Sequence, residues 1–227
     1  LNNAEAIFAE QQQALSLYGK RFGGYWRFPM LLDFCYLVNP YFPNPRLKEE
    51  MKANFDTLLT EYPSGMQVNA QLAARYAGIS ADQIIVGNGA TELINSYMRI
   101  LPSCKTGIIL PTFEEYPNRL NQEALEYFIP DNPDFSYTGS DIMAYFKDKP
   151  IKQLLIINPD NPSGNLLSKA ELMSLLEWSK SKEIKLIVDE SFLDFAQSGN
   201  SISLLDEELL NLNPHLIVIK SISKSYG

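Results

Sequence analysis

The most reactive stretch of this chain is its last one, Lys220-Ser221-Ile222-Ser223-Lys224-Ser225-Tyr226-Gly227. Lys224, set among hydroxyls, can form a Schiff base with an aldehyde, and Ser221 and Ser223 can bind a phosphate. Asp189, in Asp189-Glu190-Ser191-Phe192, directly follows the apolar run 185–188. A carboxylate at the end of a covered strand is partly desolvated and needs a cationic partner. No basic residue nearby in sequence supplies one, so a bound ligand is the candidate. For Glu190 the plainer reading is a surface carboxylate, and Lys220 reads as solvent-facing or paired. Asn158-Pro159-Asp160-Asn161-Pro162-Ser163-Gly164 holds two prolines and a glycine, which fix the backbone and let the Asn161 amide give a directed hydrogen bond. Phe113, in Pro111-Thr112-Phe113-Glu114-Glu115-Tyr116, is placed to stack on a flat ligand; core packing is the alternative. Gly87-Asn88-Gly89-Ala90-Thr91-Glu92 leads into a helical pattern. Such a turn presents unpaired amides at a helix N-terminus, a phosphate cradle, although an ordinary strand–helix turn also needs glycine.

The elements that must position these residues follow from hydrophobic patterning. Short apolar runs at 84–86, 107–110, 125–129, 154–157, 185–188 and 216–219 read as strands. Several are continuous rather than alternating, as strands covered on both faces require. Helical runs lie between them, the clearest opening on the capping box Ser168-Lys169-Ala170-Glu171 and continuing with Leu172, Leu175 and Leu176. The alternation predicts an α/β fold with a mostly parallel sheet, whose ligands sit at the carboxyl ends of the strands. Upstream, Asn44-Pro45 opens a helix with Leu47, Met51, Phe55 and Leu58 on one face, stopped by Tyr62-Pro63-Ser64-Gly65. A second helix fits 66–77, with Val68, Leu72 and Tyr76 in register and Gly78 as its stop. Residues 3–17 suit a weakly amphipathic helix and 19–45 an irregular arm. The expected organisation is therefore 1–45 as N-terminal helix and arm, and 46–227 as part of a larger α/β domain.

Composition narrows the classes. The chain has 227 residues, one large domain or one and a half. Its net charge of −8 argues against nucleic acid or an anionic membrane as partner. No apolar stretch approaches the ~20 residues of a membrane span. Two cysteines, Cys35 and Cys104, make no disulfide framework, so the reducing cytoplasm is the expected compartment. A single histidine, His215, argues against a His-based triad or a multi-His metal site, and no metal is expected. The chain begins on Leu1 rather than Met, which points to a piece of a longer protein.

The strand-end residues together ask for one ligand. It has a phosphate for Ala90, Thr91, Ser221 and Ser223, and a flat ring for Phe113. It has a cationic ring nitrogen for Asp189, a ring oxygen for Asn161 and an aldehyde for Lys224. Pyridoxal 5′-phosphate has all of these, and an acid on its pyridinium nitrogen is a requirement of its chemistry.

With the five motifs in order and at these spacings, the chain resembles pyridoxal-phosphate enzymes of the aspartate aminotransferase fold. Within them it is most similar to histidinol-phosphate aminotransferases and threonine-phosphate decarboxylases. The resemblance implies a three-layer α/β/α large domain of fold type I. It implies Lys224 as the Schiff-base lysine that moves the substrate Cα proton, and Asp189 as the acid on the ring nitrogen. It implies Asn161 on the ring oxygen and Phe113 on the ring face. The turn Gly89-Ala90-Thr91, with Ser221 and Ser223, would hold the phosphate. Tyr62 would reach the phosphate of a neighbouring subunit, implying a homodimer with shared sites, and Asn39 would lie on the substrate side. Phe192 stands where most aminotransferases of this fold have tyrosine, a feature of the threonine-phosphate decarboxylase branch. Phe22-Gly23-Gly24 lacks the histidine that this branch carries there. The family extends well beyond the equivalent of Gly227, through the remainder of the large domain and the small one, so the natural chain is expected to be longer. The leading reading is a transaminase with an amino donor and a keto acceptor. A decarboxylase of the threonine-phosphate type is the alternative, and a non-catalytic regulator domain a third.

Overall fold

Asn44 starts the first helix of the second of two compact units, 1–39 and 40–227. The computed structural model describes residues 6–7, 30, 32, 38–100, 104–197 and 199–226. The helix expected over 3–17 thus lies, but for Ala6 and Ile7, outside the described residues, and most of the arm over 19–45 does too.

Helices α1 (Pro45–Ala53), α2 (Phe55–Thr60) and α3 (Met66–Ala77) come first. The Asn44 side chain accepts the Leu47 N–H at 2.9 Å, and Pro45 has no amide to leave unpaired. The expected single helix through Leu58 is broken at Asn54. Its side chain turns back to the Glu50 carbonyl at 2.9 Å and its backbone leaves the helical region, an asparagine's usual competition with helix bonding. Gly78 ends α3 as expected. The apolar faces differ from expectation: Met51, Phe55, Leu58, Val68, Leu72 and Tyr76 are all exposed.

Next come α4 (Ala90–Ile100), β1 (Thr106–Ile109), α5 (Glu115–Arg119), β2 (Leu125–Phe128), α6 (Gly139–Phe146), β3 (Gln153–Ile157) and α7 (Lys169–Ser181). They are followed by β4 (Lys185–Asp189), α8 (Gly199–Ile202), α9 (Glu207–Leu212), β5 (Leu216–Ile219) and α10 (Ser223–Tyr226). The strands form one all-parallel sheet in the order β2-β1-β3-β4-β5. Side chains alternate across it, as a period of two dictates. Leu154, Ile156, Leu186 and Val188 pack against Ile142 and Phe146 of α6 and Leu172, Leu175 and Leu176 of α7. Leu155, Ile157, Ile187 and Ile219 pack on the other face against Ile94 and Met98 of α4 and Tyr116 of α5. This is the expected α/β/α layering, and it explains why the strands read as unbroken apolar runs. Gly107 is needed in β1 because a β-carbon there would lie 2.8 Å from the Phe146 ring. The α7 capping box forms reciprocally between Ser168 and Glu171.

The strand expected at 84–86 is not formed. The backbone at Ile84 is extended, but no neighbouring strand hydrogen-bonds to it among the described residues, and Ile85 is exposed. Extended conformation without a ladder partner is not a strand. No helix among the described residues is long and apolar enough to cross a membrane.

Candidate active site

The sheet delivers its polar residues at the carboxyl ends of its strands, with Asp189 as the last residue of β4. In register Asp189 lies between Ile157 of β3 and Ile219 of β5, and its carbonyl accepts the Asn158 N–H at 2.8 Å. The side chain is 3% exposed. One carboxylate oxygen accepts the Ser191 N–H at 2.8 Å and the other the Tyr116 hydroxyl at 2.5 Å. Burial pushes the Asp189 carboxyl above its ordinary range. The Ser191 and Tyr116 hydrogen bonds and the charge of Lys224 pull the other way. Among the described residues no lysine or arginine makes an ion pair with it, so its charge is balanced only by hydrogen bonds and by the more distant Lys224.

Tyr116 has no exposed surface, and burial together with the Asp189 charge holds its phenol far above the ordinary range. It is therefore a fixed donor. Sequence alone places Tyr116 in the 111–116 motif without assigning it a role. The available signal is its place three residues after Phe113, at the turn that leads into α5, where the Tyr116 N–H donates to the Phe113 carbonyl at 3.3 Å. Phe113 meets the Tyr116 ring edge-on, centroids 6.2 Å apart, and is half-buried over that face of the sheet.

The 158–164 turn is bolted by Asn158 rather than Asn161. Asn158 is fully buried; its side chain accepts the Leu167 N–H at 2.8 Å and donates to the Leu167 carbonyl at 3.2 Å. Ser163 donates to the Asp160 carboxylate, and the Gly164 N–H closes on the Asp160 carbonyl at 2.9 Å. Asn161 is half-buried with no side-chain hydrogen bond among the described residues, which leaves its amide to serve a ligand.

At the start of α4, Gly89 takes φ +91°, a backbone that a side chain would strain. Ala90 and Thr91 follow with the unpaired amides of the first turn, and Ala90 packs on the same sheet face as Phe113 and Tyr116. After β5, the Ser221 N–H donates to the Ser191 hydroxyl at 3.1 Å, and the Ser221 and Ser223 hydroxyls lie 3.0 Å apart. Lys224 is half-buried in α10 with its ammonium 5.7 Å from the centre of the Phe192 ring. Tyr62 is 99% exposed and joins none of these groups among the described residues, while Asn39 belongs to the 1–39 unit.

Two neighbours of these residues depart from or refine expectation. Glu190 is not a surface carboxylate: it is fully buried and accepts from the Ser203 hydroxyl at 2.5 Å and the Leu204 N–H at 2.6 Å. Burial raises its pKa, and those two bonds oppose the rise. The even–odd alternation of β4 sends it away from Asp189, to the loop before α9. Lys220 is paired, to Asp194 at 2.5 Å.

The donor set fits pyridoxal 5′-phosphate: a buried acid with no ion pair among the described residues, an aromatic ring, helix-start amides, two hydroxyls and a lysine lie at one end of one sheet. Residues 32–227 match the family described as aminotransferase class I and II, and the chain belongs to that family. It is 31% identical over 219 residues to the CMP-5′-(3-aminopropyl)phosphonate synthase of Streptomyces rubellomurinus, covering 96% of this chain and 33% of that protein. It is 29% identical to an L-serine phosphate decarboxylase of Sulfurospirillum multivorans, covering 88% of this chain and 54% of the relative. A solved decarboxylase from Sulfurospirillum multivorans superposes with a TM-score of 0.71 at 26% identity, over 87% of this chain and 55% of that one. Histidinol-phosphate aminotransferases and a threonine-phosphate decarboxylase are also among the relatives, as the resemblance implied. A solved histidinol-phosphate aminotransferase from Sinorhizobium meliloti is in complex with pyridoxal-5′-phosphate (TM-score 0.66, 91% of this chain and 57% of that one). At 16% identity that likeness shows the fold alone. The chain thus spans a third to about half the length of the curated relatives it matches.

Proposed function

We propose that the full-length protein is a pyridoxal-phosphate enzyme that acts on an amino acid carrying a phosphate or phosphonate group. The observation that carries this reading is Asp189, a buried acid without an ionic partner among the described residues, set between two strand ends and aligned by Tyr116 and Ser191. The cofactor supplies an electron sink for a bond broken at the substrate Cα. The chain's own residues do the rest. Asp189 would be held ionised by the charge of the ring nitrogen, and the Tyr116 and Ser191 hydrogen bonds fix the aim of its carboxylate. Phe113 would cover the ring, Asn161 would donate to the ring oxygen, and the amides of Ala90 and Thr91 with Ser221 and Ser223 would take the phosphate. Lys224 would hold the cofactor and would move a proton at the substrate Cα.

Decarboxylation is favoured over the transamination expected from the motifs. Phe192, beneath the Lys224 ammonium, replaces the tyrosine of most aminotransferases of the fold, and relatives named as phospho-amino-acid decarboxylases cover 86% or more of this chain. Transamination is the second reading, supported by the histidinol-phosphate aminotransferases among the relatives. A homodimer completes the proposal. The exposed faces of α1–α3 and the fully exposed Tyr62 suit a second copy, and the cytoplasm remains the expected compartment.

The test incubates the full-length protein with O-phosphoserine and O-phosphothreonine. CO₂ release with the cofactor aldehyde retained supports decarboxylation. Conversion of the cofactor to its amine form without CO₂ replaces that reading with transamination. Lys224→Ala is expected to abolish cofactor trapped by borohydride, and label remaining on the protein refutes the lysine assignment.

A further inference from the structure

The turn that carries Lys224 is gripped by one side chain from elsewhere in the chain. Asp194 lies in the 3-10 turn Leu193–Phe195 after β4. One of its carboxylate oxygens accepts from the Lys220 ammonium at 2.5 Å, and the other from the Ser225 hydroxyl at 2.6 Å. Lys220 stands just before this turn and Ser225 directly after Lys224. A single carboxylate therefore ties both ends of the segment holding the reactive lysine. The contacts are not a loose surface pair: Ser225 is 8% exposed, and the Asp194 and Lys220 side chains keep 22% and 20% of their surface. Desolvation opposes its charge, yet Lys220 and Ser225 outweigh that and hold the Asp194 carboxyl below its ordinary range, so it stays ionised. The same post-β4 segment supplies the rest of the bed. Phe192 lies under the Lys224 ammonium, and the Ser191 hydroxyl receives the Ser221 N–H.

We propose that Asp194 is a positioning residue for Lys224: by joining Lys220 and Ser225 it fixes the direction from which the lysine amine reaches the cofactor carbonyl, and it neutralises the second cation of the turn. The proposal rests on the reading of Lys224 as the Schiff-base lysine. Its physical reason is geometric, since a reacting amine displaced by ~1 Å can lose up to about a hundredfold in rate. It is also electrostatic, because an unpaired ammonium on the same turn disfavours a proton on the lysine nitrogen.

The experiment uses the full-length apoprotein and added pyridoxal 5′-phosphate. It reads the rate at which borohydride-trappable cofactor appears on Lys224, and the pH at which the absorption of the bound cofactor changes. Asp194→Asn is expected to slow trapping roughly tenfold, within the range a small misplacement costs. It should move the absorption change to lower pH, and Asp194→Glu should restore much of both. Lys220→Gln leaves the Asp194 charge unbalanced and should move the absorption change to higher pH. That opposite sign is one a merely structural ion pair does not give. Ser225→Ala, which removes one arm only, is expected to slow trapping a few fold; it and Lys220→Gln carry the test should Asp194→Asn not fold. Unchanged trapping rates and unchanged pH behaviour in these variants overturn the positioning role alone. Wild-type protein that traps no cofactor on Lys224 overturns the Schiff-base reading and this proposal with it.

Discussion

Leu154, Leu155, Ile156 and Leu186 of the sheet are each 2% exposed or less, whereas Phe55 and Leu58 of α2 and Leu72 of α3 keep 60 to 63% of their surface. Both sets carry the apolar spacing of an element that packs on something. The parallel strands bring their own covers, because each crossover lays a helix on one face or the other. Helices α1–α3 gain little such cover among the described residues, the contact of Tyr76 in α3 with Tyr226 of α10 being one that they make. Periodicity therefore reports that a face is to be covered, and it is silent on what covers it. The sheet is a core in its own right, and the apolar faces of α1–α3 stay exposed.

The largest expected effect sharpens that contrast. Leu154→Ala removes a fully buried side chain and should cost about 2–5 kcal/mol in denaturant unfolding. Equal losses from Leu154→Ala and Leu72→Ala would break the comparison outright.

A smaller effect concerns the buried polar group at the sheet end. Tyr116→Phe leaves one oxygen of Asp189 without its donor and should cost about 1–3 kcal/mol. It should also weaken pyridoxal phosphate binding, measured by fluorescence titration of the apoprotein. Loss of stability with unaltered affinity would reduce Tyr116 to a core residue.

Asp189 itself should show the signature of a charge held for a ligand. Its pKa is raised by burial, so in the apoprotein the native state binds the proton more tightly than the unfolded state does. Its contribution to stability is present below the ordinary carboxylate range and is lost as pH rises through the folded value. Asp189→Asn should gain stability over the wild-type apoprotein as pH climbs through that window, while losing cofactor affinity. Melting curves across pH 4–8 read the sign, and a gain that grows toward acid would contradict it.

The smallest effect lies on the helices. Leu72→Ser should shift the melting of this chain by no more than ~0.5 kcal/mol, as exposed substitutions do. In the full-length protein the same change should weaken self-association, read by sedimentation. A monomer–dimer balance unmoved by Leu58→Ser and Leu72→Ser together would leave these faces without the second copy proposed for them.

Much of the fold was legible in the residues because the information was local. The Asn44-Pro45 start, the Ser168–Glu171 capping box and five of the six apolar runs formed the elements expected of them. Their alternation was enough for a parallel sheet with polar residues at its carboxyl ends. Two of the failures share one cause, which is that they depend on partners distant in sequence, whereas the third, at Asn54, is a local bond to Glu50. Residues 84–86 have strand composition but no described ladder partner. Glu190 looked solvent-facing because the loop that buries it, at Ser203 and Leu204, arrives 13 and 14 residues later. Asn54 broke a helix whose apolar spacing ran straight through it.

What the sequence by itself determined is the inventory of chemistry and its order along the chain. It placed a lysine among hydroxyls, an acid after an apolar strand, a tightly turned asparagine and an aromatic after a proline. What only the tertiary structure decided is who holds whom. Tyr116 and Asp189 are 73 residues apart, as are Asp194 and Ser225 by 31, yet each pair shares a hydrogen bond. Strand register and helix packing close those distances. A carboxylate's protonation and aim depend on the atoms within a few ångströms of it, which no spacing along the chain encodes.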